Sequence, residues 1–364
     1  MIQQSTRRLR RFFGAALSFG LLAGATLPAA AQEKLVFAWP GNMSSGIAPF
    51  IFASELGYFK EENITLDVVV LGGSGVINPQ LMAGSVFTSY LTYEPLIISR
   101  KPGNPNFDFR FGYNAVRKSI WEMSVLAESP IKSIKDLAGK TIGVGALTFG
   151  NVLMTKAILK REGVNPDSVQ FVAVGVGVTA FQALRTGKVD ALNLYDITNV
   201  LLQQQGTKIR FIDFPPEFSA ISSHGLPFTG KNIKEKPQQI AGFGRATAKG
   251  TVACIANPEG CLNAYWKNYA AQKPSGGDAD ALRNETPLLQ SRIDHMQFWR
   301  DGEPKTYGSF GDKDWDPLIA SLREGGLIDD TQIKLDTLYT NQFVAEYNKF
   351  DPAAVMKAAK AYKP

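Results

Sequence analysis

The chain has 364 residues and a formal charge of +6, with 45% hydrophobic and 20% charged residues, 34 Gly and 20 Pro. This composition excludes disorder, a collagen helix and a coiled coil, and the length is enough for two domains. The positive charge gathers at the start, in Arg7, Arg8, Arg10 and Arg11, so it does not argue for a nucleic-acid partner.

Residues 1–31 run from that basic cluster through an apolar stretch (Phe12 to Leu27) and Pro28 to Ala29-Ala30-Ala31. Basic start, apolar middle and small-residue end are the marks of a cleaved secretory signal peptide. Without these residues 35 basic face 33 acidic ones, a formal +2. No Cys stands at the cleavage site, so a periplasmic protein free of a lipid anchor is expected. Arg10-Arg11-Phe12-Phe13 also resembles a twin-arginine signal, which leaves the export route open.

After residue 31 strand-like and helix-like runs alternate, the pattern of an α/β protein with largely parallel sheets. Lys34 to Trp39 reads as a strand and Ala48 to Asn63 as one helix entered through Pro49. Ile64 to Leu71 is a second strand, turned by Gly72-Gly73-Ser74-Gly75 into a helix over Val76 to Ala83. Phe87 to Leu91 is a short third strand. A second round opens near Ile120, with strands at Trp121 to Ala127, Thr141 to Val144, Val169 to Val174, Ala191 to Leu194 and Ile209 to Phe211. Between them come a short turn at Ile134 to Leu137 and helices at Asn151 to Glu162, Thr179 to Thr186 and Ile197 to Gln204. Beyond about residue 225 the strand signal fades. Helices are expected at Ala246 to Ala256, Pro258 to Lys273, Thr286 to Phe298, Trp315 to Gly325, Leu338 to Tyr347 and Pro352 to Tyr362.

Cys254 and Cys261 would lie about 10 Å apart on one continuous helix, too far to bond. Asn257-Pro258-Glu259-Gly260 makes a corner between them, and an oxidising compartment favours a disulfide over two buried thiols. Two Cys and two His (His224, His295) so widely spread exclude a zinc site of ordinary spacing. Each lone His reads as structural. Gly175-Val176-Gly177-Val178-Thr179-Ala180, with Asp196 further on, fits a dinucleotide fingerprint, but one with many false positives. No nucleophile motif or metalloprotease motif is present, and no cofactor is expected.

Open α/β sheets bind ligands beyond the carboxyl ends of their strands. The candidate ligand-binding residues are therefore those that follow strands: Trp39, Gly41, Asn42 and Ser44; Gly73 and Ser74; Tyr90, Tyr93 and Glu94; Thr148, Phe149, Gly150 and Asn151; Val178 and Thr179; Tyr195 and Asp196; with Trp121 at the junction of the two rounds. Glycines and hydroxyl or amide side chains beside recurring aromatics describe a small-molecule pocket. Glu94 and Asp196 are expected to face each other across it, as a ligand-binding or acid–base pair.

Four segments carry a resemblance. Ala53-Ser54-Glu55-Leu56-Gly57-Tyr58-Phe59-Lys60-Glu61-Glu62-Asn63-Ile64, Ser133-Ile134-Lys135-Asp136-Leu137-Ala138-Gly139-Lys140-Thr141-Ile142-Gly143-Val144, Gly187-Lys188-Val189-Asp190-Ala191 and Ala256-Asn257-Pro258-Glu259 are similar to motifs of the periplasmic solute-binding proteins of ABC importers for nitrate, taurine, alkanesulfonates and thiamine-pyrimidine precursors. The likeness covers roughly residues 34–270. It departs from the family at Ala83-Gly84-Ser85-Val86-Phe87, which lacks the usual Asp, and at Ala146-Leu147-Thr148-Phe149, which lacks the Ser-Thr-Ser run of sulfonate binders. The resemblance implies a two-lobed periplasmic binding protein of type II, hinged near 117–123 and 212–225. Lobe 1 would comprise 32–119 with 222–364, and lobe 2 would comprise 120–221. It also implies a monomer that delivers a small solute to an ABC transporter permease and its ATPase. The aromatic loops favour a planar or heterocyclic solute, with room for a carboxylate against the Phe149-Gly150-Asn151 helix start. The family also resembles a thiamine-pyrimidine synthase, the enzymatic alternative.

Overall fold

In a computed structural model the described residues are 32–219 and 221–364; the expected signal peptide lies outside them. The strands are β1 (Glu33–Pro40), β2 (Ile64–Leu71), β3 (Thr88–Ser89), β4 (Phe109–Val116), β5 (Trp121–Leu126), β6 (Thr141–Val144), β7 (Gln170–Ala173), β8 (Ala191–Tyr195), β9 (Ile209–Ile212) and β10 (His224–Thr229). Helices of the first half are α1 (Ala48–Glu55), α2 (Tyr58–Glu61), α3 (Ser74–Ala83), α4 (Glu94–Ser99), α5 (Gly150–Arg161), α6 (Val178–Arg185) and α7 (Asp196–Gln204). Those of the second are α8 (Pro216–Ser219), α9 (Gly230–Glu235), α10 (Pro237–Ala256), α11 (Pro258–Asn268), α12 (Asp278–Met296), α13 (Asp316–Glu324), α14 (Val344–Tyr347) and α15 (Pro352–Ala361). Among the described residues no helix is long and apolar enough to cross a membrane.

The strands form three sheets: β2-β1-β3, β10-β4 and β7-β6-β8-β5-β9. The first is parallel, with β1 central, and β1 is in register with β2 from Glu33 against Ile64 to Pro40 against Leu71. Every strand of the five-stranded sheet lies between Trp121 and Ile212, and the other two sheets draw on 33–116 and 224–229. The sheets are less parallel than the alternation predicts. β5 runs antiparallel to both β8 and β9, and β10 antiparallel to β4.

The carboxyl-terminal helices tie these parts together. α10 packs on α1, α12 packs on α7 beside the five-stranded sheet, and α13 packs on α5. One hydrophobic core runs from Phe37, Phe50 and Phe243 through Met123, Ile142 and Met154, while a second cluster around Phe181, Leu184 and Leu192 is separate from it.

Four differences from the expected elements have local causes. The helix expected over 48–63 breaks at Gly57, whose φ of +82° no other residue adopts cheaply. β10 escapes sequence reading because Pro227 lies inside it; a register shift between Leu226 and Pro227 accommodates the missing donor. α12 begins at Asp278 and not at Thr286, since Pro287 is an interior residue of the helix and not its first turn. α4 and β4, within 94–116, fall in the gap between the two expected rounds.

Cys254 and Cys261 are bonded, with Cα atoms 5.1 Å apart. The Asn257 side chain caps α11 by accepting from the Gly260 N–H at 2.8 Å, which turns the corner that brings the sulfurs together. A loop this short restricts the unfolded chain by about 2–3 kcal/mol. Replacing both cysteines with Ala lowers the unfolding free energy by that amount, as read from denaturant titration of oxidised and mutant protein.

Candidate functional site

The carboxyl end of the central strand β1 delivers Trp39, which is buried and whose Nε1 donates to the Asn42 carbonyl at 3.2 Å, folding the next loop back over the strand end. Tyr90 follows β3 and lies against Trp39, ring centroids 5.0 Å apart and planes 31° apart. His224, the first residue of β10, stacks on the other side of Tyr90 at 4.9 Å and 26°. Trp121, the first residue of β5, continues the row at 5.7 Å from His224, and Phe149 and Tyr195 each stand 6.2 Å from Trp121. A row of rings thus crosses from the β1 sheet to the five-stranded sheet.

These rings wall a cavity of about 480 Å³, its mouth included, of which about 40 Å³ is wide enough for the centre of a water molecule. The space is a slot. Its walls also carry Pro40, Asn42, Ser44, Gly73, Ser74, Thr92, Ile120, Gly150 and Arg292. Tyr90 Oη stands beside Arg292 and Thr92 Oγ1 beside Glu94, while Trp121 Nε1 is buried there without a hydrogen-bond partner, which is costly unless something else supplies one.

Electrostatically the slot is close to neutral. Arg292 is buried, and its Nη2 and Nε donate to Asp196 Oδ1 and Oδ2 at 2.7 and 3.1 Å. Burial disfavours the guanidinium charge, but the carboxylate more than offsets it. His224 is held well below its ordinary range, first by burial and then by the nearby Arg292 charge, so its ring is neutral. Burial also pushes the Tyr90 hydroxyl up to about 12. Among the described residues no group of His, Cys, Asp and Glu side chains is arranged to hold a metal.

Of the residues expected from sequence, Trp39, Asn42, Ser44, Gly73, Ser74, Tyr90, Trp121, Phe149, Gly150 and Tyr195 line the slot. The others lie elsewhere, each for a local reason. Gly41 lies off the slot and, with the slot's Gly73, packs against the Phe149 ring. A Cβ at either, or at Gly145, would come within 2.6 to 2.9 Å of a ring atom, and the positive φ at Gly41 and Gly73 already favours glycine. Thr148 donates to the Gly72 carbonyl at 2.6 Å, a bond between the two sheets' loops. Tyr93 turns into the core among Phe111, Phe310 and Trp315 and donates to Asn114 Oδ1. Asn151 points back to Asn193, donating to its Oδ1 at 2.6 Å, and so fixes α5 to β8.

Val178 and Thr179 are exposed and do not line the slot: they follow β7, the edge strand of its sheet, and of that loop Val176 and Gly177 reach only the wider space beside it. Asp196 does not face Glu94 as a free carboxylate; it is taken up by Arg292. Glu94 and Thr92 instead fill the start of α5, where a Cβ on Gly150 would meet Thr92 Oγ1 at 1.9 Å and Glu94 Oε2 at 3.0 Å. That placement removes the open helix start expected for a carboxylate. His224 and Arg292 had no signal in the sequence: one was a lone His, the other a charged residue on a late helix.

Comparison with known proteins adds a family and a fold. A family model described as NMT1/THI5 like matches residues 44–261, more than half of the chain, and the chain belongs to that family. It is 24% identical over 255 residues to a Haemophilus influenzae protein provisionally named a thiamine biosynthesis protein, covering 69% of this chain and 77% of that one. It is 22% identical over 329 residues to the riboflavin-binding protein RibY of Chloroflexus aurantiacus, covering 87% of each. Its fold matches that of the alkanesulfonate-binding protein SsuA from Xanthomonas axonopodis pv. citri bound to MOPS, with a TM-score of 0.62 at 12% identity over 85% of this chain and 99% of the other. The architecture is thus the periplasmic binding protein fold.

Burial pushes the Glu94 carboxyl up to about 7, and Glu122 likewise. A carboxyl raised in the folded chain keeps its proton longer there than in the unfolded chain, so stability is full below about pH 4.5 and is lost as pH rises through 7. Each group contributes about 3 kcal/mol to that loss. His224, held neutral by burial, has the opposite sign over the same range, so urea titrations between pH 5 and 8 read the carboxyl by difference: Glu94→Gln gains up to about 3 kcal/mol relative to the native chain as pH rises, and a constant difference would contradict the burial of Glu94.

Proposed function

We propose that this chain, a member of the NMT1/THI5-like family, is the extracytoplasmic solute-binding component of an ABC import system. It captures a flat, uncharged heterocycle in the slot and presents it to a membrane permease. The observation that carries this reading is the row Trp39, Tyr90, His224, Trp121, whose rings belong to different sheets and enclose a narrow space, with the indole N–H of Trp121 buried and unpartnered. Flat faces favour stacking, and an unpartnered N–H donor favours a ring bearing nitrogen or carbonyl acceptors.

Ion pairing supports an uncharged solute. The one charged side chain on the slot wall, Arg292, already has its counter-ion in Asp196. The riboflavin-binding and thiamine-related names of the two relatives support isoalloxazine or aminopyrimidine rings, whereas the sulfonate-type anion has no free cation to meet here. The signal-like first 31 residues support export to the periplasm.

In this reading residues 32–119 with 222–364 form one lobe and 120–221 the other, turning about the two crossings near 117–123 and 212–225. A solute that touches both lobes stabilises the closed arrangement, which couples capture to recognition by the permease. The enzymatic alternative has less support. Of the two acid–base candidates, Asp196 is bound to Arg292 and Glu94 is buried against the start of α5.

A thermal-shift and calorimetry panel tests the proposal with riboflavin, lumichrome, thiamine, 4-amino-5-hydroxymethyl-2-methylpyrimidine, taurine, MOPS and nitrate. A flat heterocycle raises the melting temperature and is recovered chemically unchanged, and small-angle scattering shows no expansion on binding. Tyr90→Ala and Trp121→Ala each weaken binding by about tenfold or more. Stabilisation by taurine, MOPS or nitrate alone, or recovery of a converted product, would overturn the reading.

A further inference from the structure

We infer that the solute carries a hydroxylated tail beside its flat ring, and that the tail lies in an outer chamber against Glu285. The inference rests on the reading of the slot as the ring site and adds the second half of the ligand. Beyond the slot, and sharing its Asn42, Ser44 and Tyr195 walls, lies a wider space of about 1060 Å³, mouth included. The two spaces adjoin across these three residues, which is where a substituent on a ring seated in the slot would pass.

The outer chamber is built for hydrogen bonding to a neutral chain. Tyr265 and Ser45 are almost wholly buried on its wall; Ser45 is hydrogen-bonded to Glu285, and Tyr265 Oη has no hydrogen-bond partner. Glu285, on α12 one helix face from Arg292, lines the same wall among Thr198, Gln272 and Asn42. The carboxylate, two hydroxyls and amides accept and donate along several ångströms of wall, which suits successive hydroxyl groups of a polyol. No Lys or Arg lines the chamber, so a tail ending in phosphate would meet Glu285 without a compensating cation. Apolar side chains such as Val70 and Leu288 complete the wall and take the carbon backbone of such a chain.

The test compares three ligands that share a ring system: lumichrome, with no tail; riboflavin, with a polyol tail; and flavin mononucleotide, the same tail ending in phosphate. Calorimetry on the full mature chain is expected to give riboflavin an affinity at least about tenfold above lumichrome, and the phosphorylated ligand an affinity below riboflavin. In Glu285→Gln the riboflavin-to-lumichrome ratio falls severalfold. Val70→Trp is a second variant: it fills the chamber from a half-exposed strand position that folding tolerates, and it lowers the same ratio. Equal affinities for riboflavin and lumichrome in the native chain would overturn the outer chamber while leaving the slot as the ring site. Binding of neither would overturn the ring site itself, and the tail with it.

Discussion

The buried pair between Asp196 and Arg292 organises much of what surrounds it. Asp196 opens α7 at the end of β8, and Arg292 reaches it from α12, far along the chain. Neither charge would survive burial alone, since an unpaired ion in the interior is costly by several kcal/mol. The geometry therefore holds α12 against α7 and sets the side wall of the slot. Burial keeps His224 neutral, and the Arg292 cation adds to it, while the pair leaves the slot wall with no unpaired charge. Setting the side wall of the slot and fixing its charge both follow from one contact.

The seam between the two sheets is made by shape more than by charge. Phe149 projects from the loop before α5 into a hollow whose walls are Gly41, Gly73 and Gly145, and the Thr148 hydroxyl closes on the Gly72 carbonyl beside it. A ring can seat there only because the loops after β1 and β2 and the start of its own loop after β6 carry no side chain at the point of approach. The crossings are anchored on the opposite side: Arg117 donates to the Phe298 and Ser309 carbonyls and to Glu303, and Ser222 donates to Asp314. The seam is thus one aromatic ring with two hydrogen bonds, from the Thr148 hydroxyl to the Gly72 carbonyl and from the Gly75 N–H to the Thr148 carbonyl, whereas the residues around 117 and 222 are held by several charge-assisted bonds.

The sequence went a long way toward the slot, for a physical reason. Strand ends announce themselves through apolar runs that stop at Gly, Ser or Asn, and aromatics placed after them are directed into the crevice. Trp39, Tyr90, Phe149 and Tyr195 are legible in that way and Trp121 as the ring at the junction of the two rounds, and Ser133 to Val144 and Gly187 to Ala191 mark the family. The same logic overreached at Val178 and Thr179, because nothing local tells whether a strand is central or at the sheet edge. Tyr93 was misjudged since consecutive loop positions face opposite ways, so that Tyr90 points to the slot and Tyr93 to the core.

What the chain determined by itself was therefore local: the order of strands and helices, the turn residues between them, the export-like start and the corner that joins Cys254 to Cys261. Those features depend on periodicity, on the φ a residue can adopt and on capping within a few positions, all of which are written in neighbouring residues. Tertiary structure alone decided that His224 joins the aromatic row, that Arg292 neutralises Asp196 and that Glu94 fills the start of α5. Each of these brings together residues dozens to about two hundred positions apart, and which of them meet is fixed only when the core packs.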